Sequence, residues 1–288
     1  MTSRTLAHAL NRPVAWARRH LERTPDLSLR WPSRCWVCGS WPTAPVCEDC
    51  VTAFAQPRVR CRRCAVALPF PVHAPRKFAP TPDADRAPGP GPSEHQSLCT
   101  SCQATNSPLA ACHAALDYDY PWDRCIASFK YGRQPGMAWA LARLMWHAPG
   151  IAPTLEQAER VMPMPLSRER LQHRGYNQAH ELARKLLRHL PLDWHQATDG
   201  ARYTPHILHR VRNTQAQSAL DASHRQTNLH QALVVLPADH ARVRGQRVVV
   251  IDDVMTTGAS LREAARALLQ AGAHSVTGVV LARTPTLS

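Results

Sequence analysis

The chain has 288 residues, 44% hydrophobic and 6% aromatic with 25 prolines, room for one large domain or two modest ones. No run reaches the ~18 unbroken apolar residues of a membrane span, and the arginine-studded N-terminus has no apolar stretch ending in a cleavage site, so a cytoplasmic location is expected. A net charge of +14, from 35 Lys and Arg against 21 Asp and Glu, attracts phosphorylated small molecules and polyanions alike and does not choose between them.

Residues 1–34 read as an Arg-rich amphipathic helical segment, with Leu6, Leu10, Val14 and Leu21 near the helical period and Pro13 interrupting it. A packing helix and a basic arm for nucleic acid or a membrane surface both suit this pattern. Residues 35–105 hold four CxxC pairs: Cys35 and Cys38, Cys47 and Cys50, Cys61 and Cys64, Cys99 and Cys102. Each CxxC turn aims two thiolates at one centre, and two turns complete a tetrahedral zinc shell. Thioredoxin-like redox chemistry and disulfides are the competing readings, the latter disfavoured in a reducing compartment. Sequence order pairs Cys35, Cys38, Cys47 and Cys50 around one ion and Cys61, Cys64, Cys99 and Cys102 around another. An interleaved arrangement or a single ion fits the same spacing. Four sulfurs leave no open position, so the zincs read as structural and supply folding energy to a small region. Cys112 and Cys125 stand alone and read as core. Residues 69–97, dominated by Pro, Gly, Ala and charge, read as a flexible insert within the cysteine region.

From 110 to 288 strands alternate with helices. ACHAALDYDY alternates as a strand, and the Cys125, Ile126 and Phe129 spacing in PWDRCIASFKYGR marks a helix. ERVMPMPL is a short strand, and YNQAHELARKLLRHL is an amphipathic helix carrying Leu182, Leu186, Leu187 and Leu190 on one side. RVVVIDDV is a buried strand by its continuous apolar run, SLREAARALLQAGA a helix closed by Gly272, and HSVTGVVLAR another buried strand. This alternation predicts an α/β domain with a central parallel sheet, which binds ligands at the carboxyl ends of its strands.

One such end carries VVVIDDVMTTGAS, Val248 to Ser260. A loop of small and hydroxylated residues running into a helix offers converging backbone N–H groups, and the hydroxyls of Thr256, Thr257 and Ser260 add donors, which together favour a phosphate monoester. Gly258 permits close backbone approach. Asp252 and Asp253 just before the loop suit the 2′ and 3′ hydroxyls of a ribose, each carboxylate accepting hydrogen bonds. Simple helix capping by the two acids is the competing explanation.

VVVIDDVMTTGAS resembles the phosphoribosyl-diphosphate (PRPP) motif of type I phosphoribosyltransferases. With the CxxC pairs, FKYGR at 129–133, PMPLSRERLQHRGYNQAHELAR at 163–184 and RVRNTQAQSALDASHRQTNL at 210–229, the chain resembles the ComF (GntX) family: an N-terminal double zinc ribbon followed by a type I phosphoribosyltransferase-like domain. Its insert between Cys64 and Cys99 is longer than the family pattern. The resemblance implies that Asp252 and Asp253 bind the ribose hydroxyls and that Thr256, Thr257, Gly258, Ala259 and Ser260 hold the 5′-phosphate. It further implies a pyrophosphate loop at Ser167, Arg168, Glu169 and Arg170, a second anion contact at Arg174 beside the Gly175 turn, and Lys130 and Tyr131 lining the cleft, with Lys130 a further pyrophosphate contact. A guanidinium fork meets phosphate oxygens bidentately, although a solvated basic face would look the same. Residues 210–229 resemble the mobile hood that closes over substrate.

What the family implies is magnesium-dependent displacement of pyrophosphate from PRPP, with charge neutralisation outweighing acid–base work. No general base and no acceptor-recognition motif is readable. The family's association with natural transformation and use of external DNA implies a role in DNA uptake. The alternative is a non-catalytic single-stranded DNA-binding factor with a regulatory or vestigial phosphoribosyl site, in which Lys and Arg meet phosphates and Trp36 and Trp41 stack on bases.

Overall fold

The structure is a computed structural model and describes residues 32–69, 98–190, 194, 202–211 and 232–285. Residues 1–31 of the N-terminal helical segment, 70–97 of the Pro-rich insert and 212–229 of the hood lie outside the described residues. The chain divides into two compact units, Met1–Gln56 and Pro57–Ser288, so the two cysteine quartets fall in different units.

The first unit pairs Ser33 with Thr43 and turns into helix α1 (Glu48–Phe54) at Cys47. Its buried cluster consists of Cys35, Cys47 and Cys50, with Val37 and Val46 packed partly against them. Among the described residues that is too little apolar surface to hold a fold unaided.

The second unit carries the other two CxxC pairs, the last one opening helix α2 (Thr100–Ala104). Strand β1 (Ala111–Asp117) follows, then helices α3 (Trp122–Tyr131), α4 (Ala138–His147) and α5 (Ile151–Glu156) and strand β2 (Arg160–Pro163). Helices α6 (Arg168–Arg174) and α7 (Gln178–Leu186) lead to strands β3 (Leu208–Arg210) and β4 (Leu233–Val235). Helix α8 (His240–Val243), strand β5 (Arg247–Met255), helix α9 (Ala259–Gln270) and strand β6 (Ser275–Arg283) complete the described unit. The sheet runs β1-β6-β5-β2, all parallel, as the alternation of strands and helices requires. The antiparallel β3–β4 pair, register Leu208 to Val235, was not anticipated. Strands of three residues are too short to leave a period in the sequence.

The run Val248, Val249, Val250 and Ile251 is apolar throughout because helices cover both faces of β5. Val248 and Val250 join Val276 and Val280 of β6 in one cluster with Leu261, Ala264, Ala265 and Leu268 of α9. Val249 and Ile251 point the other way by the strand's two-residue period, toward the side on which α7 packs. Gly272, with φ of 96°, follows α9 as its expected terminator. Cys112 and Cys125 are buried, in keeping with their reading as core. None of the helices among the described residues is long and apolar enough to cross a membrane.

Candidate functional site

In the first unit Cys35 Sγ lies 3.8 Å from Cys50 Sγ, and Cys38 Sγ lies 3.7 Å from Cys47 Sγ. In the second unit Cys64 Sγ lies 3.6 Å from Cys99 Sγ. Sulfurs at tetrahedral angles on arms of about 2.3 Å sit roughly 3.8 Å apart, so both sets are spaced as a zinc shell requires. The quartets are Cys35, Cys38, Cys47, Cys50 and Cys61, Cys64, Cys99, Cys102, each with its sulfurs within 4.8 Å of one another. Pairing therefore follows sequence order. The Ser40 hydroxyl holds the Cys38 thiol down to about 6, while burial and then Cys47 push Cys50 up, and burial and then Cys99 push Cys102 up. Four sulfurs so close together share charge favourably only around a cation, and the donor sets fit a metal ion.

Arg62, Arg63 and their neighbours tie the second quartet into its unit. Cys112 N–H donates to Arg62 O at 2.7 Å, Arg63 Nη1 to Cys102 O at 2.9 Å, and Arg60 Nη1 to Asp117 Oδ1 at 2.7 Å.

Strand β5 ends in the acid pair and delivers the loop to α9. One cavity is lined by Asp252, Met255, Thr256, Thr257, Gly258, Ala259 and Ser260, which brings one of the expected ribose contacts and all five expected phosphate contacts together. Thr256 and Thr257 are exposed, while Gly258 and Ala259 are buried. Gly258 adopts φ of 76°, and a Cβ there would stand 2.3 Å from the Met255 methyl, so the loop needs glycine. Thr257 Oγ1 accepts from Ala259 N–H at 3.3 Å and squares the start of the helix.

The two acids differ. Asp253 is paired with Lys130 at 3.0 Å, side chains 10% and 15% exposed, so Lys130 stands against the acid pair. Burial opposes the charged form of Lys130, but Asp253 and Asp252 more than offset it and its pKa is raised. Asp252 accepts from the Asp253 N–H at 2.9 Å, yet burial first and the Asp253 charge second lift its carboxyl from 3.8 to about 7. The folded protein thus keeps a proton that the unfolded chain releases above its ordinary carboxylate pKa. Asp252's contribution to stability is full below about pH 4, falls as pH rises toward 7 and stays lost above it. Asp252→Asn is expected to be the more stable protein at pH 8, by up to about 4 kcal/mol, with the gap closing by pH 4. Urea melts at both pH values check this, and equal stabilities at pH 8 would refute it.

Ser167 is buried and caps α6, its Oγ accepting from Arg170 N–H at 3.3 Å. Arg168 is exposed, and Arg170 and Arg174 are half-buried. Arg174 donates to Gln178 Oε1 at 2.8 Å and lies over the Tyr131 ring at 5.2 Å; Tyr131 is 62% exposed. Gly175, at φ of 81°, ends α6. Asn177 then caps α7 and donates to Met164 O at 3.0 Å, fixing this turn to the end of β2.

Three arginines approach these parts: Arg210, which opens the segment likened to the hood, and Arg262 and Arg283, to which the sequence reading gives no role. Arg210 Nε donates to Pro165 O at 3.1 Å, and burial first and the Arg170 charge second lower its pKa, with Asp252 opposing them. Arg262 Nη1 donates to Thr257 O at 2.8 Å, and the buried Arg283 donates to Met255 O and Thr256 O. No local signal marks them, because an arginine beside a short strand or in a basic helix is unremarkable in a chain with 35 Lys and Arg.

Residues 172–287 match the phosphoribosyl transferase domain family model. The chain is 29% identical to DNA utilization protein YhgH of Salmonella typhimurium over 265 residues, covering 89% of this chain and 99% of that protein. It is 32% identical to Competence protein F of Haemophilus influenzae over 169 residues, 58% of this chain and 69% of that protein. Among solved structures, glutamine phosphoribosylpyrophosphate amidotransferase from B. subtilis, complexed with ADP and GMP, is similar over 54% of this chain at 19% identity and a TM-score of 0.29. This chain spans 30% of that one.

Proposed function

The chain belongs to the ComF family, and on that premise we propose that it binds PRPP with magnesium between Asp252 and Ser260 and acts in DNA uptake or the use of external DNA. The observation that carries this reading is the single cavity in which Asp252 meets the Thr256–Ser260 loop at the carboxyl end of β5. In it the loop N–H groups and the Thr256 and Thr257 hydroxyls donate to the 5′-phosphate, and Asp252 and Asp253 accept from the ribose hydroxyls. Ser167, Arg168, Arg170 and Arg174 meet the diphosphate, with Lys130 beside the acids adding positive charge. Magnesium supplies charge neutralisation on the diphosphate, and the hard oxygens of the acid pair suit it. Transfer would break the bond from the anomeric carbon to diphosphate and form one from that carbon to an acceptor nucleophile, which the cationic flank favours by stabilising the departing charge.

Isothermal titration of metal-loaded protein with PRPP and magnesium tests the site. Saturable binding that is lost in Asp252→Asn/Asp253→Asn is expected; absence of binding at millimolar PRPP would overturn the reading. A second reading, single-stranded DNA binding with a regulatory phosphoribosyl site, draws support from Trp41, 61% exposed in the first unit. DNA binding that falls steeply with salt and is untouched by the double asparagine variant would favour it.

A further inference from the structure

Cys64 and the phosphate loop belong to chemically separate sites, yet one buried side chain holds both. Arg283, the last residue of β6 and 6% exposed, donates from Nε to Cys64 O at 2.8 Å. From Nη1 it donates to Met255 O at 3.2 Å and Thr256 O at 2.5 Å, the two carbonyls where β5 gives way to the loop. It also reaches Thr284 O at 2.5 Å. A planar guanidinium whose two ends are fixed in this way cannot keep the loop side while the cysteine side moves. Met255 is held again from the same direction, its Sδ 3.5 Å from Cys112 Sγ, and Cys112 takes its backbone partner from Arg62 between Cys61 and Cys64. Arg262 holds the helix side of the loop, donating to Thr257 O at 2.8 Å.

We propose that Arg283 is a positioning residue that makes the Cys61, Cys64, Cys99, Cys102 quartet a support for the phosphate loop, so that metal in this quartet, and not in the other, sets the loop's affinity for phosphate. The CxxC turn keeps the Cys64 carbonyl in place only while its thiols are drawn to one centre. Release of the metal frees that carbonyl, and the arginine then no longer fixes Met255 O and Thr256 O. By linkage, ligand in the loop strengthens metal retention by the same factor by which metal strengthens ligand binding. The inference rests on the phosphate reading of the Thr256–Ser260 loop.

The experiment uses the full metal-loaded chain in four forms: wild type, Cys99→Ser, Cys38→Ser and Arg283→Lys. Metal content is measured, amide hydrogen exchange is followed at residues 256–260, and PRPP with magnesium is titrated into each. Cys99→Ser is expected to lose one metal, to exchange faster in the loop and to bind PRPP about tenfold more weakly, as outer-shell contacts usually cost. Cys38→Ser loses a metal and leaves loop exchange and binding unchanged. Arg283→Lys keeps both metals, since its charge remains, but loses the fork and shows the same fast loop exchange. Equal loop exchange in Cys99→Ser and Cys38→Ser, or slow exchange in Arg283→Lys, would overturn the proposal. Because exchange needs no ligand, coupled exchange without PRPP binding would sink the phosphate reading and leave the tether standing.

Discussion

Stripped of metal by a strong chelator, the residues around Cys35 to Phe54 lose their order while the β1-β6-β5-β2 sheet keeps its own. Among the described residues of the first unit, only Cys35, Cys47 and Cys50 form its buried cluster, with Val37 and Val46 partly buried against them, and Trp36, Trp41 and Phe54 face solvent. Burying so few side chains yields a few kcal/mol against an ordering cost of about 1–2 kcal/mol for every residue fixed. A structural zinc supplies about 10–16 kcal/mol, which reverses that balance. The second quartet behaves differently, because the Arg62 and Arg60 contacts to β1 hold residues 60–62 after the ion leaves, and only the Cys64 end of the turn is released. Hydrogen exchange before and after chelation reads the contrast: protection between 35 and 54 vanishes, and protection in β5 and β6 persists. Unchanged protection at 35–54 in protein shown to be metal-free would refute the expectation.

Replacing Lys130 by methionine is expected to cost about 3–5 kcal/mol, the usual penalty for removing one partner of a buried ion pair. Lys130 and Asp253 meet at 3.0 Å with little solvent at either side chain, and Asp252 lies next in sequence with a carboxyl already pushed up to about 7. Without the ammonium, two adjacent acids share one poorly solvated end of a strand. Adding Asp253→Asn to Lys130→Met removes the stranded charge and recovers most of the loss. Urea denaturation of the two single variants and the double one measures this. A Lys130→Met protein within about 1 kcal/mol of wild type would show the pair to be as inconsequential as an exposed one. The pairing also explains why FKYGR is placed where it is: the C-terminal end of α3 carries the cation to the acids of β5.

The strand, loop and helix of the candidate site were readable because they are contiguous. Val248 to Ile251 announce a strand covered on both faces, Gly258 a positive φ, and the small and hydroxylated residues a loop at the strand's carboxyl end, all within one short run of chain. The four CxxC pairs were equally legible, since a two-residue spacing sets two thiols side by side whatever surrounds them. The same holds for α7, where Asn177 caps the helix that the leucine spacing predicts. The antiparallel β3–β4 pair escaped, because three-residue strands whose pairing is non-local carry no period of their own.

By itself, then, the amino-acid sequence determined the class of the fold, the acid pair with its loop, and the membership of both cysteine quartets. These rest on spacing, periodicity and backbone freedom, which act between near neighbours in the chain. Tertiary structure alone decided which cation stands against Asp253, that Arg210 leans over the Pro165 turn toward Asp252, and that Arg283 joins Cys64 to Met255 and Thr256. It also decided that the second quartet sits in one unit with the sheet while the first lies in the other. Each of these is a contact between residues far apart in sequence, and a charged side chain takes whichever partner the packed core brings within about 3 Å, a choice no local pattern records.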